Sequence, residues 1–207
     1  MSNIFNPDSK FTHYANKFSD LITLNLWFAI TSIPLLTIGA SATAMHYVLL
    51  RIYRDELEYS VTKNYFQAFK QNFKQATTIW LIYLLLTAVL IADYYWVNVI
   101  AQVNTFFLKI VISIVALLLL FSLSWVFALQ SRYANPVHAT IRNAIIFCIM
   151  HPMDTVLMCA MLLLPILLLI SKPSTIPIII ICGFSLSGIV RTMIYSKIFA
   201  CSELSQN

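Results

Sequence analysis

Residues 76–97 read ATTIWLIYLLLTAVLIADYYWV, and residues 106–129 read FFLKIVISIVALLLLFSLSWVFAL. Each is an almost unbroken apolar run, long enough as an α-helix to cross a hydrocarbon core of roughly 30 Å. Only residues 98–105 separate them, so the two runs read as a helical hairpin. Tyr94, Tyr95 and Trp96 end the first run, and Phe106 and Phe107 begin the second, which is the aromatic belt of one membrane face. Asp93 is the one acid inside a run, and it stands at this end, beside Tyr94, within reach of water. The pair decides the fold class: an all-α, polytopic transmembrane helix bundle.

The rest of the chain agrees. Of 207 residues, 60% are hydrophobic and 10% charged, with a mean hydropathy of +0.82. A soluble domain carries about a quarter charged residues, so much of this apolar surface has lipid as its solvent. The length would allow one or two soluble domains, but no stretch has the polar surface for one. Further apolar runs place membrane helices at about 18–38, 40–54, 76–97, 106–130, 153–170 and 176–199, all within one integral membrane domain spanning 1–207. The second of these is short, about 24 Å for residues 39–54, and Arg51 and Arg54 make up the difference by snorkelling. Lys10 and Lys17 before the apolar run from Leu21, with Ala40-Ser41-Ala42 behind it, imitate a signal peptide. The length of the basic region and the apolar sequence that resumes at once favour a retained helix.

The net charge of +5 reports orientation rather than nucleic-acid binding. With six crossings and both termini in the cytoplasm, eleven Lys and Arg fall inside, leaving Lys109 and Lys172 outside. A five-helix arrangement does worse, with nine inside and four outside. Two inner segments have amphipathic character, 61–75 and 136–150. In the first, Phe66, Phe69 and Phe73 share a helical stripe edged by Lys70 and Lys74, the pattern of a helix lying in the headgroup region. An extension packed on its own bundle would have the same pattern.

Residues that could carry chemistry are isolated. Cys148, Cys159, Cys182 and Cys201 form no metal spacing, and no cofactor or metal is expected. Gly183-Phe184-Ser185 has the Gly-x-Ser form of intramembrane serine proteases. That chemistry needs a histidine within reach, and His46 is the one histidine in a spanning run. Helix packing is the alternative, with Gly183 and Ser187, Gly39 and Thr43, or Ala40 and Ala44 as small-residue pairs. Asn25 lies deep in the first run and is expected to hydrogen-bond across helices. His151 has Asp154 one turn away and could titrate near neutral pH, or be structural beside Pro152. The run Arg51, Arg54, Asp55, Glu56 and Glu58 offers i,i+4 pairs, Arg51 with Asp55 and Arg54 with Glu58. It reads either as a solvated helix end or as a docking site for a partner protein.

Asn25-Leu26-Trp27, Ile33-Pro34-Leu35-Leu36-Thr37-Ile38-Gly39-Ala40, Ala44, Tyr47, Phe66, Phe69-Lys70, Asn72-Phe73-Lys74-Gln75-Ala76-Thr77 and Trp80 together resemble the YesL-like family. These are bacterial membrane proteins, mostly Gram-positive, grouped as a domain of unknown function. Arg132-Tyr133 and Arg142-Asn143-Ala144 through Thr155 resemble the weaker second half of its pattern. The acidic stretch after Arg54 departs from the family, many of whose members have a Gly-containing turn there. The resemblance implies no catalytic residues, and a setting beside carbohydrate ABC transporters. The expected function is a non-enzymatic accessory or regulatory partner of such a system, meeting its permease or ATPase subunit. The alternative is a small transporter or channel subunit acting as a homo-oligomer in the lipid bilayer.

Overall fold

The computed structural model describes residues 10–100, 106–133 and 135–204. Residues 101–105, most of the loop between the two quoted runs, lie outside the described residues. The described chain is mostly helical, with no strand among the described residues, and includes α1 (Lys10–Thr31), α2 (Ile38–Arg54), α3 (Val61–Tyr95), α4 (Phe106–Arg132), α5 (Val137–Met150), α6 (Pro152–Ser171) and α7 (Phe184–Leu204). A short helical turn, Ile176–Ile178, and a π-helical turn, Ile179–Gly183, lead into α7. Among the described residues, five helical stretches are long and apolar enough to cross a membrane: Leu35–Arg54, Val61–Val99, Phe106–Arg132, Pro152–Ser171 and Ile176–Ala200. The protein is a multi-pass α-helical membrane protein.

Two boundaries differ from the sequence reading. The first helix starts at Lys10 and stops at Thr31, not near residue 38, and is not among the five. Pro34 disfavours helical backbone in the residue before it, so the apolar part of α1 is only Leu21–Thr31. Of the two readings of 61–75 the structure has the extension: 61–75 and the following run form one helix with no junction at 75/76. The composition changes there, yet nothing in Gln75-Ala76-Thr77 breaks the backbone. Helix α6 runs without interruption through the buried Pro165.

The turn between α1 and α2 satisfies most of its polar groups internally, as a turn among apolar helices must, with Ser32 Oγ the exception. Thr37 Oγ1 donates to the carbonyls of Thr31 (2.6 Å) and Pro34 (2.8 Å), and Trp80 Nε1 donates to the Leu35 carbonyl (2.8 Å). Gly39 permits the closest approach: a Cβ there would stand 2.5 Å from the Ala76 carbonyl oxygen and 2.6 Å from Trp80 Cβ. On α7 the equivalent position is Gly188, where a Cβ would meet Leu49 and Met45, rather than Gly183, which faces only Ile179 of its own turn.

Beyond this turn α3 and α4 continue with few neighbours. Leu85, Ile91, Tyr94, Phe106, Phe107 and Ile114 are all more than half exposed, as lipid-facing residues are. The opposite end of the bundle gathers the charge. There the start of α1 meets the end of α2 through Lys17 and Asp55, and the end of α4 meets α3 through Gln130 Nε2 and Gln75 Oε1 (2.8 Å). The end of α7 joins them through Phe199 against Tyr133 and Trp125.

Candidate functional site

The charged run expected to dock a partner is a well-defined turn. Asp55, directly after α2, has φ 57° and ψ 32°, the left-handed conformation. Its N–H donates to the Ile52 carbonyl (3.4 Å), and the Glu56 N–H donates to the Arg51 carbonyl (3.0 Å). This is the Schellman closure, in which glycine is the usual left-handed residue. An aspartate tolerates the conformation better than most side chains, so the acidic departure from the family pattern keeps a sharp helix end.

The expected i,i+4 pairs give way to others, because the helix stops at Arg54 and its periodicity ends with it. Asp55 Oδ1 accepts from Lys17 Nζ of α1 (2.8 Å), with His13 Nε2 at 3.7 Å. Arg51 reaches Glu58 at 4.0 Å and lies 4.8 Å from the centre of the Tyr47 ring. The hydrogen bond from Lys17 holds the Asp55 carboxyl below its ordinary range. Glu56 and Glu58 are exposed, and Arg54 is half-exposed.

The aromatic stripe on α3 divides in two. Phe66 and Phe69 are half-buried against the bundle, Phe66 edge-on to Trp27 at 4.8 Å and Phe69 stacked on the buried Tyr65 at 6.3 Å. Phe73 is 38% exposed, and Lys70 and Lys74 are exposed beside it. Among the described residues no group of three His, Cys, Asp or Glu is placed to hold a metal. His151 Nδ1 stands 3.9 Å from Asp154 Oδ2, at the limit of an ion pair. Asp93 is exposed near the end of α3.

Inside the bundle, Asn25 bridges helices as expected. Its Nδ2 donates to the carbonyls of Ile179 (3.0 Å) and Ile180 (2.6 Å), and its Oδ1 accepts from the Ser185 N–H (2.8 Å). These are backbone groups that the π-helical turn removes from the regular α ladder. Ser185 is fully buried, and its hydroxyl donates to the Cys182 carbonyl (3.1 Å). Ser185 therefore belongs to the Asn25 bridge.

Next to this bridge is a cavity of about 610 Å³ between α1, α2, α4, α6 and α7. Its walls are mainly Phe, Leu, Ile, Met and Ala, and four polar residues enter it: Ser32, His46, Ser187 and Arg191. Arg191 is 7% exposed and His46 3%. Arg191 Nε, His46 Nδ1 and Ser32 Oγ are buried without a hydrogen-bond partner. Among the described residues Arg191 forms no ion pair; the ionic contacts involve the charged end and His151. The His46 ring meets Tyr195 edge-on at 5.7 Å. An ionisable side chain enclosed in a membrane bundle is costly, and such residues mark functional sites.

Sequence reasoning counted Arg191 only as an inner-side charge at the end of an apolar run. The available signal was its position within Ser187-Gly188-Ile189-Val190-Arg191-Thr192, where small residues turn that helix face toward neighbours. His46, the histidine a Gly-x-Ser protease site would need beside Ser185, lies instead against Tyr195 and the cavity.

The family model described as "Protein of unknown function, DUF624" matches residues 21–94, from the apolar part of α1 to near the end of α3. That stretch includes Asn25, Ser32, His46 and the charged turn, while Arg191 lies outside it. No curated protein and no solved structure matches the chain.

Proposed function

We propose that the protein is a non-enzymatic accessory or regulatory membrane protein that works through contacts at its charge-rich end. By the positive-inside rule that end and both termini face the cytoplasm of a bacterial cell. One observation carries the reading: the exposed acids Glu56 and Glu58 stand on a turn whose backbone is closed by hydrogen bonds and pinned to α1 through Lys17. A preordered surface loses less entropy on binding than a floppy one, and its charge suits a basic patch on a partner. The likeness of the motifs on either side of this turn, between Asn25 and Trp80, to the YesL-like family points to the permease or ATPase subunit of a carbohydrate ABC transport system. Phe73, Lys70 and Lys74 would meet the membrane interface beside that partner.

A test is crosslinking and recovery of the protein from native membranes. Replacing Asp55, Glu56 and Glu58 together with Ala should leave insertion and thermal stability within about 1 kcal/mol of the parent, because exposed ion pairs contribute little. Recovery of a transport subunit should fall several-fold. Unchanged recovery sinks the docking claim. The second reading, a small oligomeric transporter or channel subunit, is favoured by the buried Arg191 and its cavity. Crosslinks confined to copies of this chain would support it instead.

A further inference from the structure

The unsatisfied polar atoms of the interior are concentrated in one place. Four buried side-chain atoms without a partner are found among the described residues, and three of them, Ser32 Oγ, His46 Nδ1 and Arg191 Nε, belong to residues lining the 610 Å³ cavity. Buried polar groups are nearly always hydrogen-bonded, and a cluster of exceptions needs an explanation. Arg191 adds a charge that no described acid offsets.

We propose that this cavity binds an amphiphile with an anionic head and an acyl chain, the head held by Arg191 and the chain lying along the apolar wall. The head must be anionic because guanidinium has donors only, arranged in a fork that fits a carboxylate or phosphate. The remainder must be apolar because Met45, Leu123, Phe127 and their neighbours offer a chain contacts and a solute of water nothing to bond. A free inorganic anion would leave that wall unfilled. The volume falls within the usual range for ligand sites. The route of entry also fits: Ile33 on one rim is 79% exposed and Ile166 on another 41%, so the rim offers apolar groups to the lipid side. The proposal is independent of the docking surface, which lies on the outside of the charged end.

Trp80 lines the cavity and also a second one between α3 and α4, and Trp27, Trp96 and Trp125 fluoresce as well. The signal is therefore the saturable quenching present in the parent and lost in Trp80→Phe, and its Arg191 dependence assigns it to this cavity. Full-length protein is reconstituted in phosphatidylcholine vesicles, and tryptophan fluorescence is followed during titration with dibromostearate, its alcohol analogue, or brominated phosphatidylglycerol. Dibromostearate should quench saturably at a concentration about tenfold lower than the alcohol, as expected for one charge-assisted contact. Arg191→Gln should abolish that preference. Ala42→Phe keeps the charge but fills the cavity from α2, and it should abolish saturable quenching altogether, which guards against a misfolded Arg191 variant. Saturable, Arg191-dependent quenching by phosphatidylglycerol would assign the site to a membrane lipid; its absence would assign it to a free single-chain acid. Equal quenching by acid and alcohol, or an acid preference that survives Arg191→Gln, overturns the proposal.

Discussion

Two cavities of nearly equal size among the described residues differ in character, and the inner one has the marks of a site. The outer one, about 620 Å³, lies between α3 and α4, and none of its lining residues has a buried side-chain polar atom left unpaired. Tyr83 donates to Ser122 (2.9 Å), Thr87 to the Tyr83 carbonyl (2.8 Å) and Ser113 to the Lys109 carbonyl (2.8 Å). The inner one, about 610 Å³, is equally apolar but has Ser32, His46 and Arg191 with atoms left unpaired. Volume and greasiness therefore do not distinguish them. Unused hydrogen-bonding capacity does. A gap between two lipid-facing helices fills with acyl chain at no polar cost, whereas the inner cavity retains an unfavourable charge that an occupant could relieve.

Substitutions should separate the two cavities by magnitude. Asn25→Leu, beside the inner cavity rather than in its lining, removes three hydrogen bonds and leaves the Ile179 and Ile180 carbonyls and the Ser185 amide unsatisfied. Because buried unsatisfied groups cost more than an average hydrogen bond returns, the loss should be about 3 kcal/mol in detergent-solubilised protein. Thr87→Val, in the outer cavity, should change stability by less than about 0.5 kcal/mol. Comparable losses at both positions would end the distinction.

Arg191→Leu gives the opposite sign. An interior charge without a partner destabilises the apo protein, so its replacement should raise thermal stability, by about 1 kcal/mol once relaxation and water penetration are allowed for. A residue present only to hold the bundle together would behave in the contrary way. A clear drop in melting temperature on this substitution would show that Arg191 is structural, and the contrast between the cavities would then lose its functional meaning.

How much of this was legible beforehand depended on whether local order or packing decides the feature. The α3–α4 hairpin was readable because runs such as Leu84-Leu85-Leu86 leave few alternatives to a lipid-facing helix. Asn25 was readable as an interhelical donor, since an amide in an apolar run must find a partner. The charged run shows in the sequence, but its pairing does not follow from spacing: the i,i+4 rule presumes a helix, and the left-handed Asp55 ends it one residue too early. Residues 61–75 and 76–97 were divided because composition changes between them, although a helix crosses from one environment to another without a break. Arg191 was the least legible. An arginine at the end of an apolar run ordinarily snorkels to water, and only the packing of α2 against α7 at Gly188 turns this one inward.

The smallest expected effect lies farthest from either cavity, where charge is in water. Lys17 depresses the Asp55 carboxyl, so the pair contributes stability above the unfolded-chain value near 3.9. That contribution disappears as the pH falls through the lower, folded value. Because both partners are solvated, global stability should scarcely change, in contrast with the interior substitutions. The local consequence is more distinct: amide protection across Arg51–Glu58 should decline on acidification below about pH 4, as α1 releases the end of α2. In Lys17→Ala the same amides should be less protected at neutral pH and show no further loss in that range. Identical acid profiles for parent and variant would mean that the Schellman closure alone holds the turn. Lys17 would then be an incidental neighbour, and the rigidity that supports partner docking would reside wholly in the backbone of residues 51–56.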